Sequence, residues 1–159
     1  MDQIDIRVEK ANDILDTFGQ IATWILIVAG WYVVDRQLHK RERRREIRAQ
    51  IDKCESLLQN LEEIAKSYHC EPIHSPQLAS EILTLIQRIL RKISYLKLLT
   101  THEYNQNAKA IRRAITLNNF DSTTHAAAAL DSQLMNDIGI AIDNAHLALE
   151  TAFHEKYPD

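Results

Sequence analysis

Residues 17–34 read TFGQIATWILIVAGWYVV, eighteen positions without a charged side chain between Asp16 and Asp35. At a rise of ~1.5 Å per residue, a helix over this stretch is about 27 Å long, close to the ~30 Å hydrocarbon thickness of a bilayer. The amphipathic aromatic residues Trp31 and Tyr32 stand near its end, where an interfacial belt would lie. The stretch therefore predicts a single transmembrane helix over 17–34, with a buried core helix of a soluble protein as the alternative.

The charges on the two sides of this stretch are unequal. The tail over 1–16 carries five acidic residues and only two basic ones, Arg7 and Lys10. A basic collar over 35–48 follows the stretch, and its cationic residues are Arg36, Lys40, Arg41, Arg43, Arg44, Arg45 and Arg48. Positive residues stay on the cytoplasmic side and contact anionic lipids there. We therefore expect a single-pass protein of the cell inner membrane, with a short extracytoplasmic tail and a cytoplasmic C-terminus.

Apolar residues in the tail repeat at alternating spacings of four and three, the pattern of a heptad seam. The same register continues into the predicted span, and the complete set is Ile4, Val8, Ala11, Leu15, Phe18, Ala22, Ile25 and Ala29. A solvated tail on an isolated span has no reason to keep such a stripe, whereas a tail packed against other copies does. The seam therefore predicts a homo-oligomer.

Glycine and proline are scarce, with three of each in 159 residues. Sheet architectures need such residues at chain reversals, so their scarcity favours long helices with few loops. We predict an all-α protein in which the transmembrane helix continues into a cytosolic antiparallel helical bundle over 49–159. From Ala49 onward the chain has ten Lys and Arg and fourteen Asp and Glu, and this acidic balance argues against nucleic acid as a partner.

Proline and cap residues predict where the first three helices of the bundle begin and end. The first helix carries a second heptad seam from Ile47 to Tyr68 and ends near His69. Ser75 followed by proline predicts the N-cap of a second helix that runs to about Leu99. A capping box of Thr100 with Glu103 opens a third helix.

The fourth helix is predicted from about His125 to Lys156, with Ser122 or Thr123 as its cap. Its apolar side is formed by Leu130, Leu134, Ile138, Ala141, Ala145, Leu149 and Ala152. Successive residues in this set are three or four positions apart, which is typical of one helix face.

No pattern in the sequence predicts a metal site or a cofactor. The tightest cluster of ligand types is His69, Cys70 and His74, but a structural zinc site needs four ligands and only three stand here. A polar loop at a helix end is the simpler interpretation. No arginine has a histidine five to seven positions after it, and Lys97 with His102 is the nearest approach to the Arg-x4-6-His motif of HEPN ribonucleases. We therefore predict that the protein is not an enzyme.

The layout of tail, span, basic collar and helical bundle resembles small membrane effectors and accessory proteins of bacterial antiphage defence. Some proteins of that kind accompany RNA-targeting CRISPR systems and have HEPN-like bundles. The resemblance implies a self-associating membrane protein that perturbs or perforates the bilayer and whose bundle senses or docks a cytosolic protein. Two alternatives remain open: a membrane-tethered module that binds or cleaves nucleic acid, and a scaffold that anchors a partner protein.

Overall fold

The computed structural model describes residues 2–117, 120 and 125–158, and the side chains within these ranges from Trp24 onward. This part of the chain contains four α-helices and no strand. The prediction of an all-α protein is therefore confirmed. The first helix, α1, runs from Asp2 to Cys70 without a break. Contacts divide the chain into two compact units, Met1–Arg45 and Glu46–Asp159.

Within the unit 46–159 the remaining helices are α2 (Pro76–Leu96), α3 (Thr101–Thr116) and α4 (Gln133–Lys156). Lys92 of α2 donates to Gln50 of α1, and Arg48 of α1 pairs with Glu150 of α4. The helix α3 contacts both α2 and α4. The four helices therefore form an antiparallel bundle in the cyclic order α1, α2, α3, α4, with α2 and α4 running in the same direction.

The core of the bundle is built from the apolar stripes of all four helices. The second heptad seam supplies its α1 face, where Ile51, Cys54, Leu58, Leu61, Ala65 and Tyr68 are buried. This seam is therefore satisfied inside one chain, and it provides no surplus face for other copies. Buried isoleucines contribute most of the α2 face, and Ile89 is completely buried. Two isoleucines of α3 and seven residues of α4 complete the buried set.

The predicted caps are confirmed. The Ser75 hydroxyl accepts a hydrogen bond from the backbone N–H of Leu78, and Pro76 is the first residue of α2. Thr100 and Glu103 form the reciprocal capping box of α3. The backbone N–H and the hydroxyl of Thr100 both donate to the Glu103 carboxylate, and these two hydrogen bonds lower the pKa of that carboxyl. The helix α2 ends at Leu96 rather than near Leu99, because Lys97 adopts a left-handed conformation with φ of 50°.

The fourth helix begins eight residues later than predicted, at Gln133 instead of His125. The segment before it is irregular because it is hydrogen-bonded to the end of α1: the backbone N–H of Ala128 donates to the carbonyl of His69, at 2.7 Å. The prediction that Leu130 faces the core is wrong, since its side chain is 78% exposed. The predicted caps Ser122 and Thr123 lie outside the described residues.

In the ranges whose side chains are described, no helix is long and apolar enough to cross a lipid bilayer. The predicted transmembrane helix over 17–34 is therefore not confirmed. Its first seven residues, 17–23, lie outside the described side chains.

Candidate functional site

An uncharged segment of α1 exposes apolar side chains on every side of the helix. We name residues 24–34, WILIVAGWYVV, the apolar band. Every residue in it is exposed, and the exposed fraction reaches 72% for Leu26 and 75% for Trp31. A helix that packs against its own chain keeps one polar face outward, and the apolar band has none. Contiguous exposed apolar surface of this kind marks a site of interaction with a membrane or another protein.

The predicted oligomer seam is described only at its end. Ile25 and Ala29 belong to the apolar band and are exposed, Ile25 by 62%. The other six predicted seam residues, Ile4, Val8, Ala11, Leu15, Phe18 and Ala22, lie outside the described side chains. The homo-oligomer therefore stays a prediction.

The basic collar follows the apolar band directly along α1. Arg36, Lys40, Arg41, Arg43 and Arg45 are all exposed, and Arg44 is half-buried. Asp35 lies 3.4 Å from the ring of His39 one helical turn later. The collar therefore presents five exposed cations within ten residues of helix, and its contact with anionic lipids stays a prediction.

Arg48, the last cation of the predicted collar, is bound within the bundle. Its Nη1 lies 2.5 Å from Glu150 Oε2, its Nε lies 3.3 Å from Asp52 Oδ1, and its guanidinium carbon lies 5.8 Å from the centre of the Phe153 ring. The hydrogen bond to Glu150 raises the pKa of Arg48. Sequence reasoning could not separate Arg48 from its neighbours, because Glu150 is 102 residues away along the chain.

Two histidines of α4 lie beside this ion pair. His146 Nε2 lies 4.0 Å from both Glu55 of α1 and Glu150, and His154 Nε2 lies 3.8 Å from Glu150. Glu150 therefore stands between one arginine and two histidines where α1 and α4 meet. The Arg48–Glu150 ion pair therefore joins α1 to α4.

A second cluster of titratable groups lies at the other end of the bundle, where α1 and α3 end. We name Tyr68, His69, His74, Phe120 and His125 the histidine cluster. The Tyr68 ring lies 5.0 to 6.0 Å from the rings of His69, His74, Phe120 and His125. His125 Nε2 donates to the carbonyl of Glu71 at 2.9 Å. Sequence spacing pointed to His69 and His74, but His125 joins them only through the fold.

His69 is fully buried, and no other polar or charged residue is buried to this degree in the described part of the chain. Its Nε2–H donates to the carbonyl of Ile115 at 2.9 Å, which ties the end of α1 to the end of α3. In the neutral ring Nδ1 is then an acceptor, and it has no hydrogen-bond partner among the described residues. Burial lowers the pKa of His69, the Ile115 hydrogen bond opposes this, and His125 adds to it.

Acidification from pH 7.5 to 5.5 is expected to destabilise the bundle through His69. Its folded pKa lies below the unfolded value of about 6.5, so below that pH the unfolded chain binds the proton first. The stabilisation is complete above about pH 6.5 and decreases as pH falls, by at most about 1.4 kcal/mol per pH unit for one group. Urea unfolding of the full chain in detergent measures this.

The control for that measurement is His69→Gln, which keeps an Nε2–H donor and removes the titration. The difference in unfolding free energy between the two pH values should be smaller in this variant than in the wild type. An equal difference would assign the pH dependence to other groups.

No three His, Cys, Asp or Glu side chains are arranged to hold a metal ion among the residues that the structure describes. Cys54 is buried in the core and Cys70 is half-buried, and both thiols are free. Burial raises the pKa of the Cys54 thiol, which keeps it protonated and unreactive.

Comparison of the chain with known protein families, with curated proteins and with solved structures gives no match.

Proposed function

We propose that this protein is a self-associating, single-pass membrane protein, with its N-terminus outside the cell inner membrane and its helical bundle in the cytosol. The apolar band carries this proposal. It leaves eleven consecutive uncharged residues exposed on all sides of α1, and the sequence extends the uncharged run back to Thr17. Lipid is the solvent that accepts such a helix, because every backbone group is hydrogen-bonded within it.

The basic collar supports the proposed orientation. Its exposed cations directly follow the apolar band, and the tail on the other side of the uncharged run is acidic. A cation near an anionic leaflet contributes about 1 kcal/mol to membrane attachment, so the five exposed ones hold this side of the helix at the cytoplasmic surface.

Self-association follows from the heptad seam of the tail, and the proposed activity follows from self-association. The proposed topology puts the bundle on the other side of the membrane, so parallel copies are the partner that the stripe of the tail fits. A cluster of such spans would perturb or perforate the bilayer, which is a non-enzymatic effector activity. The bundle would dock a cytosolic protein that controls it.

The test combines three measurements on bacterial cells that express the chain. The wild type should stay in the membrane pellet after a carbonate wash, form a detergent particle of several chain masses, and collapse the membrane voltage on induction. Changing Val8→Glu and Leu15→Glu together places charges in the seam and leaves 17–34 and the bundle intact. This variant should stay in the pellet but lose both the large particle and the voltage collapse.

A wild-type monomer would overturn the proposal, and so would a soluble wild type. A large membrane-bound particle without voltage collapse would favour the scaffold alternative, in which the chain only anchors a partner.

A further inference from the structure

Two grooves lie on opposite sides of the bundle. One runs between α1 and α2, with a volume of about 1040 Å³, and Leu57, Leu85, Arg88 and Arg91 are among its lining residues. The other lies between the start of α3 and the second half of α4, with a volume of about 500 Å³, and Leu147 and Glu155 are among its lining residues. Because the helices follow the cyclic order α1, α2, α3, α4, these two grooves face away from each other.

The apolar parts of the two grooves differ in shape. Leu147 of the α3–α4 groove is 62% exposed and projects from α4. In the α1–α2 groove, Leu57 is half-buried and Leu85 is buried with 7% of its surface exposed, so these two side chains form an apolar floor. A projecting leucine on one side of the bundle and an apolar recess on the other are complementary between two copies.

The net charges of the two grooves are opposite. Arg88 and Arg91 outnumber Glu81 in the α1–α2 groove, and Glu103 and Glu155 outnumber Lys156 in the α3–α4 groove. Arg88 and Arg91 are exposed and form no ion pair with any described residue. Glu155 is exposed on the α3–α4 side and is equally unpaired within the described part of the chain. Contact between unlike grooves brings a free carboxylate to free guanidinium groups, whereas contact between like grooves would bring Arg88 and Arg91 against their own copies.

The spacing along the helices matches for copies that stand parallel. Glu155 follows Leu147 by eight residues, about 12 Å along α4, and Arg91 follows Leu85 by six residues, about 9 Å along α2. Both helices run in the same direction, and the difference of about 3 Å is within the reach of an arginine side chain. The pairs Arg48–Glu150 and Gln50–Lys92 place Glu150 and Lys92 at nearly the same height on α1. Leu147 precedes Glu150 by three residues and Leu85 precedes Lys92 by seven, so the contact needs neighbouring bundles to be offset by about 9–12 Å along the helices.

We propose that neighbouring copies of this chain associate side by side through unlike grooves, with Leu147 of one copy on Leu57 and Leu85 of the next and Glu155 beside Arg91. This inference rests on the proposed self-association and names its cytosolic surfaces. Unlike surfaces in contact produce a ring when the rotation closes and an open chain when it does not.

Charge exchange in the full chain tests this contact. Arg91→Glu and Glu155→Arg should each weaken self-association in detergent, raising the dissociation constant about tenfold or more because a paired charge becomes a repulsive one. The double variant, Arg91→Glu with Glu155→Arg, should restore the wild-type particle mass. The controls are Lys109→Glu and Glu63→Arg, which reverse exposed charges outside both grooves and should leave the mass unchanged.

Leu147→Asp provides a second test that does not depend on the arginines, and it should weaken association while far-ultraviolet circular dichroism stays that of the wild type. A wild type that is oligomeric and insensitive to all these changes would overturn this contact and leave the proposed function standing. Weakening by both single charge changes without rescue in the double variant would also overturn the pairing. A monomeric wild type would overturn both proposals.

Discussion

Replacing Ile89 with aspartate is expected to unfold the bundle. The Ile89 side chain is completely buried in the core that all four helices share. A carboxylate there has no partner and must either lose its hydration or take up a proton, at a cost of about 4 kcal/mol or more. That is a large part of the 5–15 kcal/mol that typically stabilises a domain.

The measurement is urea unfolding of the full chain in detergent, followed by circular dichroism. Leu83→Asp is the matched control on the same helix, because Leu83 is 44% exposed and an aspartate there stays hydrated. We expect it to cost about 1 kcal/mol or less. If the two variants unfolded at the same urea concentration, the assignment of the core face of α2 would be wrong.

Placing two charges in the apolar band, with Leu26→Asp and Val28→Asp together, is expected to release the chain from the membrane. A charged residue near the centre of a spanning helix costs about 2.5–3.5 kcal/mol, so two of them cost about 5–7 kcal/mol. Leu26 and Val28 are both exposed, so no packing of the described chain is lost in the exchange. The fraction of protein in the carbonate-washed membrane pellet measures the effect.

Leu26→Ile with Val28→Ile is the matched control, since it changes shape and keeps the band apolar. This variant should remain in the pellet. Equal retention of the aspartate variant would mean that the band binds another protein surface rather than lipid, and the proposed membrane span would have to be abandoned.

The helices of this protein are predictable because their signals are local. Caps at Ser75 and at Thr100 with Glu103 require only residues three apart, and the structure places both at helix starts. The apolar stripes of α1, α2 and α4 follow the helical period, so their core faces could be assigned from spacing alone. The prediction that Leu130 faces the core is wrong because Leu130 lies before the start of α4, outside the helical period. The segment that contains it is hydrogen-bonded to the end of α1 instead of forming a helix.

The sequence by itself determined the helical class, most of the core, the uncharged run from Thr17 to Val34 and the cations that follow it. Only the tertiary structure decided which distant residues meet. Arg48 pairs with Glu150 and is therefore not free like the other cations of the collar. The His125 ring lies beside the His69 ring, and Leu147 and Arg91 lie on opposite sides of the bundle. The physical reason is that propensity, capping and periodicity act over three or four residues, whereas pairing between helices depends on how their faces rotate and shift when the shared core is filled.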